Sequence, residues 1–210
     1  MPRKVEKLIQ SKHVEGRWYV ELEDGETVKA SVALIADFSL YSGRELSDEE
    51  YEDLKRAAAR MNAKARAMRI LGARALSKKA LYDKLIEKGE TGEDAAEAVD
   101  YLESLGIIDD AEYAGSIVRH YAARGYGKGR IKEEFFRRGV PKEYWDEALL
   151  ELPEDTDAID TLIARKLRGG EPDRKELKKL TDMLLRRGYA WGEIKSALTR
   201  YSISEELPDE

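Results

Sequence analysis

The segment Lys84-Leu85-Ile86-Glu87-Lys88-Gly89 decides the fold, because related segments return twice further along the chain. They read Glu134-Phe135-Phe136-Arg137-Arg138-Gly139 and Met183-Leu184-Leu185-Arg186-Arg187-Gly188, with the glycines 50 and then 49 residues apart. A glycine after such a run is typical of a helix that ends on a residue in the left-handed conformation. Recurrence at this period predicts a protein built from repeated helical units.

Each unit extends on both sides of its glycine. Nine residues after the glycine, a small residue is followed by an aliphatic one, at Ala98-Val99, Ala148-Leu149 and Ala197-Leu198. A leading helical segment precedes each motif, over residues 65–71, 111–121 and 158–167. A three-helix unit of about 45 to 50 residues buries too little apolar surface alone, so neighbouring units must stack. We therefore predict a mainly α fold, an elongated and curved array of tandem three-helix repeats.

Capping residues predict where the helices begin and end. The predicted starts are Ser47, Ser77, Thr91, Asp109, Pro141 and Asp173, and the predicted ends are Gly89, Gly106, Gly139, Gly169-Gly170 and Gly188. Ser47 and Glu50 form a capping box, which opens a helix toward Leu71 that is either straight or bent near Asn62. The pair Asp109-Asp110 resembles a ligand pair, but Asp109 stands where a helix N-cap is expected.

The first 45 residues have a different pattern. Trp18, Val20 and Leu22 alternate with polar or amphipathic neighbours, which is typical of a strand with one buried face. Asp24-Gly25 supplies the positive φ angles that a tight hairpin turn needs. We predict a small antiparallel module with strands over 4–11, 17–23 and 27–34. Three strands are barely stable alone, so the module should pack on the helices that follow.

These patterns divide the chain into five segments. They are the β module 1–45, repeat 1 with its lead-in helix 46–108, repeat 2 109–153, repeat 3 154–202 and an acidic tail 203–210.

Composition limits the class of protein. The chain has 210 residues, 38% of them charged, a formal net charge of −6 and no cysteine. Disulfides and thiolate metal sites are thereby excluded, and a reducing compartment is expected. No apolar run reaches the roughly 18 residues of a membrane span. We predict a cytoplasmic protein without membrane contact.

Catalysis finds little support in the residues. The two histidines, His13 and His120, are far apart in the sequence and lie in different modules. No catalytic or metal-binding spacing is present. We predict a protein that is not an enzyme and needs no cofactor or metal.

The basic residues concentrate in repeat 2. Between residues 117 and 142, eight cations face only Glu133 and Glu134, an excess of six positive charges in a negatively charged chain. A basic pair before a glycine can simply complement the helix dipole. Alternatively, its recurrence displays a row of cations along one edge of the array.

The glycine-rich segment Gly125-Tyr126-Gly127-Lys128-Gly129-Arg130 interrupts this region. We predict a mobile loop that opens a helix and presents amides and cations to a phosphate backbone or an acidic protein face. The alternative is a solvated loop that only joins two helices. The spacing differs from that of a nucleotide-binding P-loop.

Three longer motifs combine these features. They are Leu105-Gly106-Ile107-Ile108-Asp109-Asp110-Ala111-Glu112-Tyr113-Ala114, Gly127-x-x-Arg130-Ile131-x-x-Glu134-Phe135-x-x-Arg138-Gly139-Val140 and Ser77-x-x-x-Leu81-x-x-Lys84-Leu85-x-x-Lys88-Gly89. Together they resemble the RecX family of regulators of the recombinase RecA. The likeness covers about residues 60 to 202, and the N-terminal hairpin resembles an extension found in some members. Lys128 stands where the family commonly has proline, and Phe135 where leucine is common.

The resemblance implies a protein that lies in the groove of the RecA filament on single-stranded DNA and inhibits ATPase activity, filament extension and strand exchange. The cations expected to contact the filament are Arg119, Arg124, Lys128, Arg130, Lys132, Arg137 and Arg138, extended by Lys78, Lys79, Arg186 and Arg187. The partner is the RecA filament, with single- or double-stranded DNA as a further one, and we expect a monomer. Two alternatives are a helical module that binds DNA directly and an inert scaffold.

Overall fold

The computed structural model describes residues 2–152, 157–167 and 173–201. Its strands are β1 Arg3–Gln10, β2 Arg17–Leu22, β3 Thr27–Ser31 and β4 Glu45–Leu46. Its helices are α1 Val32–Asp37, α2 Asp48–Ala73, α3 Lys78–Glu87, α4 Gly92–Ser104, α5 Asp110–Ala122, α6 Lys128–Arg137, α7 Trp145–Leu149, α8 Asp157–Leu167, α9 Arg174–Arg186 and α10 Trp191–Arg200, with a 3-10 turn over Lys142–Tyr144 before α7. The predicted mainly α fold with an N-terminal antiparallel module is confirmed.

The chain forms two compact units. Unit 1 comprises Met1–Ala75 and Leu81–Ile108, and unit 2 comprises Leu76–Ala80 and Asp109–Glu210. The short segment Leu76–Ala80, which includes the start of α3, therefore belongs to unit 2.

The sheet of unit 1 has the order β3-β2-β1-β4 and is antiparallel throughout. Three strands are predicted and four are found, because β4 is a two-residue strand without a readable alternation. The predicted third strand ends early at Ser31, whose side chain accepts a hydrogen bond from the Leu34 amide and caps α1. In the β2–β3 turn only Gly25 has a positive φ, of 87°. Asp24 instead accepts a hydrogen bond from the Glu26 amide at 3.0 Å.

The sheet packs on the first half of α2, as expected for a module too small to stand alone. Val20, Leu22 and Leu46 are buried in one cluster with Tyr51 and Leu54 of α2. The burial of the Tyr51 phenol and its hydrogen bond to Glu26 raise its pKa to about 12. The interior of unit 1 therefore joins sheet and helix.

Helix α2 is continuous over 26 residues, with the predicted capping box formed by Ser47 and Glu50. Asn62 does not break it. Its side-chain amide donates to the Ala58 carbonyl at 2.7 Å and to the Lys29 carbonyl of β3 at 3.1 Å. Asn62 thus ties the middle of the helix to the sheet.

Unit 2 contains two three-helix repeats, each with its own apolar cluster. The cluster of α5, α6 and α7 includes Ile117, Ile131, Phe135 and Leu149. The cluster of α8, α9 and α10 includes Ile163, Leu177, Leu184, Ile194 and Leu198. The tandem repeats are confirmed, while the curvature of the array stays a prediction.

The predicted helix ends coincide with left-handed glycines. Gly89, Gly106, Gly139 and Gly188 have φ values of 89°, 66°, 69° and 88°. Gly169-Gly170 and the acidic tail lie outside the described residues. The left-handed conformation explains why glycine recurs at the end of each repeat's middle helix, since a Cβ there is strained.

Candidate partner-binding surface

Several of the predicted cations of unit 2 lie at two equivalent places, which we call the first and second junctions. At the first junction, residues 138–139 meet residues 77–79. At the second, residues 187–188 meet residues 127–129. In both, the glycine turn of one repeat lies against the start of the preceding repeat's middle helix. The two junctions are one repeat period apart.

Backbone hydrogen bonds hold the second junction together. The Gly127 amide donates to the Arg187 carbonyl at 2.8 Å, and the Gly129 amide donates to the Gly188 carbonyl at 2.9 Å. The Arg187 guanidinium donates to the Arg124 carbonyl at 2.8 Å and to the Gly125 carbonyl at 3.1 Å. It also lies 5.2 Å from the centre of the Tyr126 ring.

The approach of the two segments is close enough to require glycine. A Cβ on Gly127 would lie 2.6 Å from the Gly188 carbonyl oxygen, and a Cβ on Gly188 would lie 2.1 Å from the Arg130 amide nitrogen. The prediction of a mobile, anion-binding loop at residues 125–130 is therefore wrong. The amides of Gly127 and Gly129 already donate to carbonyls at the end of α9, so the glycines here serve packing between repeats.

At the first junction, the side chain of Ser77 makes the hydrogen bond between the two segments. The Ser77 hydroxyl caps α3 by accepting from the Ala80 amide at 3.1 Å, and it donates to the Arg138 carbonyl at 2.7 Å. The Asp110 carboxylate accepts from the Lys78 amide at 2.9 Å. Asp109 caps α5 through the amides of Ala111 and Glu112, so its predicted N-cap role is confirmed.

Three of the predicted contact arginines converge on a buried carboxylate. Glu134 of α6 is 1% exposed. Its oxygens lie 3.0 Å from Arg130, 2.5 Å from Arg137 and 3.2 Å from Arg138. Burial opposes ionisation of Glu134, but hydrogen bonds from Arg137, Arg138 and Tyr121 outweigh it and hold its pKa below the ordinary value. We call this set of residues the Glu134 cluster.

The Glu134 cluster also holds Arg138 against the repeat core. Its guanidinium donates to the Tyr113 hydroxyl at 3.4 Å and to the Tyr121 hydroxyl at 3.5 Å. Burial disfavours the charged guanidinium, yet these bonds and Glu134 raise its pKa above the ordinary value. Arg138 is thus committed to internal contacts in this structure.

Arg119 is similarly occupied. It pairs with Glu112 at 2.6 Å and with Glu151 at 2.7 Å. These pairs are exposed and contribute little to stability, so a partner could displace them.

The remaining predicted cations of repeats 2 and 3 are more available. Arg124, Lys128 and Arg186 are exposed, and Lys132 is half-buried. Within the described part of the chain, none of their side chains forms an ion pair. Lys128 and Lys132 are one turn apart on α6, so they share one face of that helix. Lys78 and Lys79 lie at the first junction and have partners of their own.

One exposed residue on α6 was not predicted from the sequence. Phe136 is 77% exposed and follows Lys132 by four residues, on the same face. Its repeat equivalents Ile86 and Leu185 are also exposed, at 40% and 44%. The signal was present in the apolar doublet that ends three residues before each repeat glycine. A surface helix whose core side is a single stripe buries only one of two adjacent residues.

No metal or membrane site emerges from the part of the chain that is described. Within it, no three histidine, cysteine or acidic side chains group in a way that could hold a metal ion. None of the described helices combines the length and apolar character that a membrane span requires.

Family models match the three repeats in order. The first three-helix domain of RecX matches residues 63–102, the second matches residues 109–149 and the third matches residues 153–198. The matched segments follow the helices of each repeat.

Curated relatives agree with the family models. The chain is 31% identical over 147 residues to the regulatory protein RecX of Vibrio parahaemolyticus, covering 69% of this chain and 95% of that protein. It is 35% identical over 130 residues to the regulatory protein RecX of Trichlorobacter lovleyi, covering 59% and 84%. The match to the regulatory protein RecX of Clostridioides difficile is 27% identical over 202 residues and covers 93% and 94%.

Solved structures share the fold. A crystal structure of regulatory protein RecX superposes with a TM-score of 0.70 at 22% identity, covering 92% of this chain and 99% of that one. The crystal structure of RecX from Lactobacillus salivarius gives a TM-score of 0.64 at 20% identity, covering 70% and 99%.

Proposed function

The chain belongs to the RecX family, and from that premise we propose that it regulates the recombinase RecA by binding the filament that RecA forms on single-stranded DNA. Bound in the filament groove, it inhibits ATPase activity, filament extension and strand exchange. Relatives over most of its length are named regulatory proteins, which supports a regulatory role. The protein acts by binding and contributes no chemistry of its own.

The surface that best supports this proposal is the outward face of α6. Lys128, Lys132 and Phe136 recur at four-residue intervals on it, and Phe136 is 77% exposed. Interface anchors are commonly aromatic and are surrounded by polar rim residues. An exposed ring beside two lysines therefore fits a protein partner with an apolar pocket and an acidic rim. We call Lys128, Lys132 and Phe136 the α6 face.

The test is the ATPase rate of RecA on single-stranded DNA at increasing concentrations of this protein. The wild-type chain should inhibit, whereas the double variant Lys128→Glu/Lys132→Glu should need about tenfold more protein for half inhibition. Each exposed ion pair contributes up to about 1 kcal/mol, and about 1.4 kcal/mol corresponds to a tenfold change in affinity, so loss of two pairs gives a factor of about ten. Arg130 is left unchanged, because it pairs with Glu133 and the buried Glu134.

The matched control is Lys175→Glu/Lys179→Glu on α9. It makes the same charge change at the same helical spacing, on exposed side chains of repeat 3. It should inhibit as the wild type does. Equal loss of inhibition in both double variants would mean that only the net charge of the protein matters. An ATPase rate that no concentration of the wild-type protein changes would mean that the protein is an inert scaffold.

A direct DNA-binding module is the second candidate, and the basic surface of repeat 2 favours it. Binding through phosphates weakens with salt, with a slope of about −0.7 per phosphate on single strands. Naked DNA that bound as tightly as the filament would favour this candidate over the RecA regulator.

A further inference from the structure

A second concentration of positive charge lies in unit 1, on residues other than the predicted contact cations. The C-terminal half of α2 and helix α3 line a cavity of about 580 Å³, whose cations are Arg66, Arg69, Arg74, Lys84 and Lys88. A neighbouring cavity of about 290 Å³ shares Arg66 and Arg69 and adds Arg17 and Lys29 from the sheet. Because Arg66 and Arg69 line both, the cavities adjoin, and we call their combined cation-rich surface the α2 groove.

Few carboxylates oppose these cations. Glu90 lies 2.5 Å from Arg66, and Glu87 lies 2.7 Å from Lys84. Among the described residues, the other five cations of the α2 groove form no ion pair. The groove therefore carries an excess of five positive charges, although the whole chain has a net charge of −6.

Hydrogen bonds to backbone carbonyls position Arg66, Arg69 and the backbone of Lys29. Arg66 donates to the Lys88 carbonyl at 3.3 Å, which fixes the end of α3 beside α2. The Arg69 guanidinium donates to the Ala65 carbonyl of its own helix at 3.2 Å. The bond from Asn62 to the Lys29 carbonyl holds the sheet cations beside the same stretch of α2. Such an arrangement orders the groove before a ligand arrives.

We propose that the α2 groove binds the phosphodiester backbone of a nucleic acid strand. Guanidinium groups match phosphate oxygens in geometry and charge, and Arg66, Arg69 and Arg74 supply three of them. Its cations are supplied by α3, α2 and the sheet, so a linear polyanion can contact more of them than one small anion does. The described lining holds no aromatic side chain for base stacking, so the site reads charge and not sequence.

This proposal does not depend on a recombinase. The α2 groove lies in unit 1, whereas the α6 face lies in unit 2. A strand should therefore bind the purified chain alone, and should still bind if the protein has no effect on RecA.

The experiment measures the fluorescence anisotropy of a labelled single-stranded oligonucleotide of mixed sequence, titrated with the full chain across a series of salt concentrations. The test variant is Arg69→Ala/Arg74→Ala/Lys88→Ala, three exposed cations without carboxylate partners in the described residues. Loss of three phosphate contacts should reduce the magnitude of the salt slope by about 2, at about 0.7 per phosphate. We expect affinity at low salt to fall at least tenfold.

The control Lys175→Ala/Lys178→Ala/Lys179→Ala removes the same charge from exposed positions on α9. It should bind the oligonucleotide with the wild-type salt slope, and circular dichroism should show both triple variants folded. Three outcomes would overturn the proposal: no binding by the wild type at low salt, equal weakening in both triple variants, or a loss found only in Lys128→Glu/Lys132→Glu. The last outcome would place the strand on the α6 face.

Discussion

Glu134 determines which arginines of repeat 2 are available to a partner. Its carboxylate lies within ion-pair distance of Arg130, Arg137 and Arg138 and is almost fully buried. A buried carboxylate without its partners is strongly unfavourable. The three arginines therefore stabilise the repeat first, and only the exposed part of each is open to a filament. Their contact with the filament stays a prediction, because a partner would compete with Glu134 for these arginines.

Glu134→Gln should lower the free energy of unfolding of unit 2 by about 2 kcal/mol. The substitution removes the charge from three hydrogen bonds, and bonds to charged groups contribute about 1.5 to 3 kcal/mol before screening of the partly exposed arginines is considered. Urea denaturation measures the change. The neighbouring Glu133→Gln, at an exposed side chain on the same helix, should change stability by less than about 0.5 kcal/mol. Equal effects would mean that Glu134 is not the centre of the cluster.

The stabilisation by Glu134 should also depend on pH. Its pKa in the folded state is lowered from the model-compound value of 4.5, so its contribution is complete above about pH 4.5 and is lost as the pH falls through the folded value. The stability difference between wild type and Glu134→Gln should thus be largest near pH 7 and shrink as the pH falls below about 4.5. A difference that stayed constant over this range would contradict the assignment.

The three equivalent glycines offer a graded test of the junctions. Gly89→Ala meets no atom within 4 Å and should cost only the strain of a positive φ, about 1 to 2 kcal/mol. Gly139→Ala adds contact with the Ser77 hydroxyl at 3.3 Å. Gly188→Ala brings a Cβ to 2.1 Å from the Arg130 amide, and the added overpacking should raise the loss to about 3 kcal/mol or more. Denaturation midpoints that fall equally in all three variants would exclude close packing as the reason.

At the scale of elements, α6 has a different function on each side. Ile131 and Phe135 face the core of repeat 2. Glu134 forms ion pairs with Arg130, Arg137 and Arg138. The opposite side presents Lys132 and the exposed Phe136. The start of the helix is occupied by the glycine turn of the next repeat. A partner can therefore reach the outward side of α6 but not its N-terminal amides.

Phe136→Ala should raise the concentration needed for half inhibition of RecA about 30-fold. Aromatic anchors at interface centres contribute about 2 kcal/mol or more, which corresponds to that factor. The folded state should be unaffected, because the side chain is 77% exposed. Leu150→Ala, at an 83% exposed position in the same unit, is the matched control. Inhibition that Phe136→Ala leaves unchanged would remove the ring from the interface.

At the scale of the whole molecule, the net charge of −6 conceals separate positive regions. One lies at the junctions and the α6 face of unit 2, and the other is the α2 groove of unit 1. Screening limits each field to about 10 Å, so each region acts on its own neighbourhood. An acidic protein can thus carry local surfaces suited to polyanions.

The α2 groove could not be predicted from charge along the sequence. Its cations come from strands β2 and β3, from helices α2 and α3, and from the residues directly after each helix, and Glu87 and Glu90 stand among them in the chain. Repeat 2 is conspicuous because eight of its cations lie within 24 residues of the chain, from Arg119 to Lys142. The density of cations along the sequence therefore favoured the arginines of repeat 2, which are largely paired with carboxylates. It gave no sign of the unpaired cations of the α2 groove.

The order of residues was enough to predict the repeat, most of its helix starts and ends, the β module and the resemblance to RecX. These features are local: capping serines and aspartates, left-handed glycines and alternating apolar residues act within a few positions of the chain. The folded chain was needed to show which cations are available and why Gly127 and Gly129 are glycines. Those properties depend on distances between segments roughly 60 residues apart, such as Gly127 and Gly188, and a linear order of residues does not contain those distances.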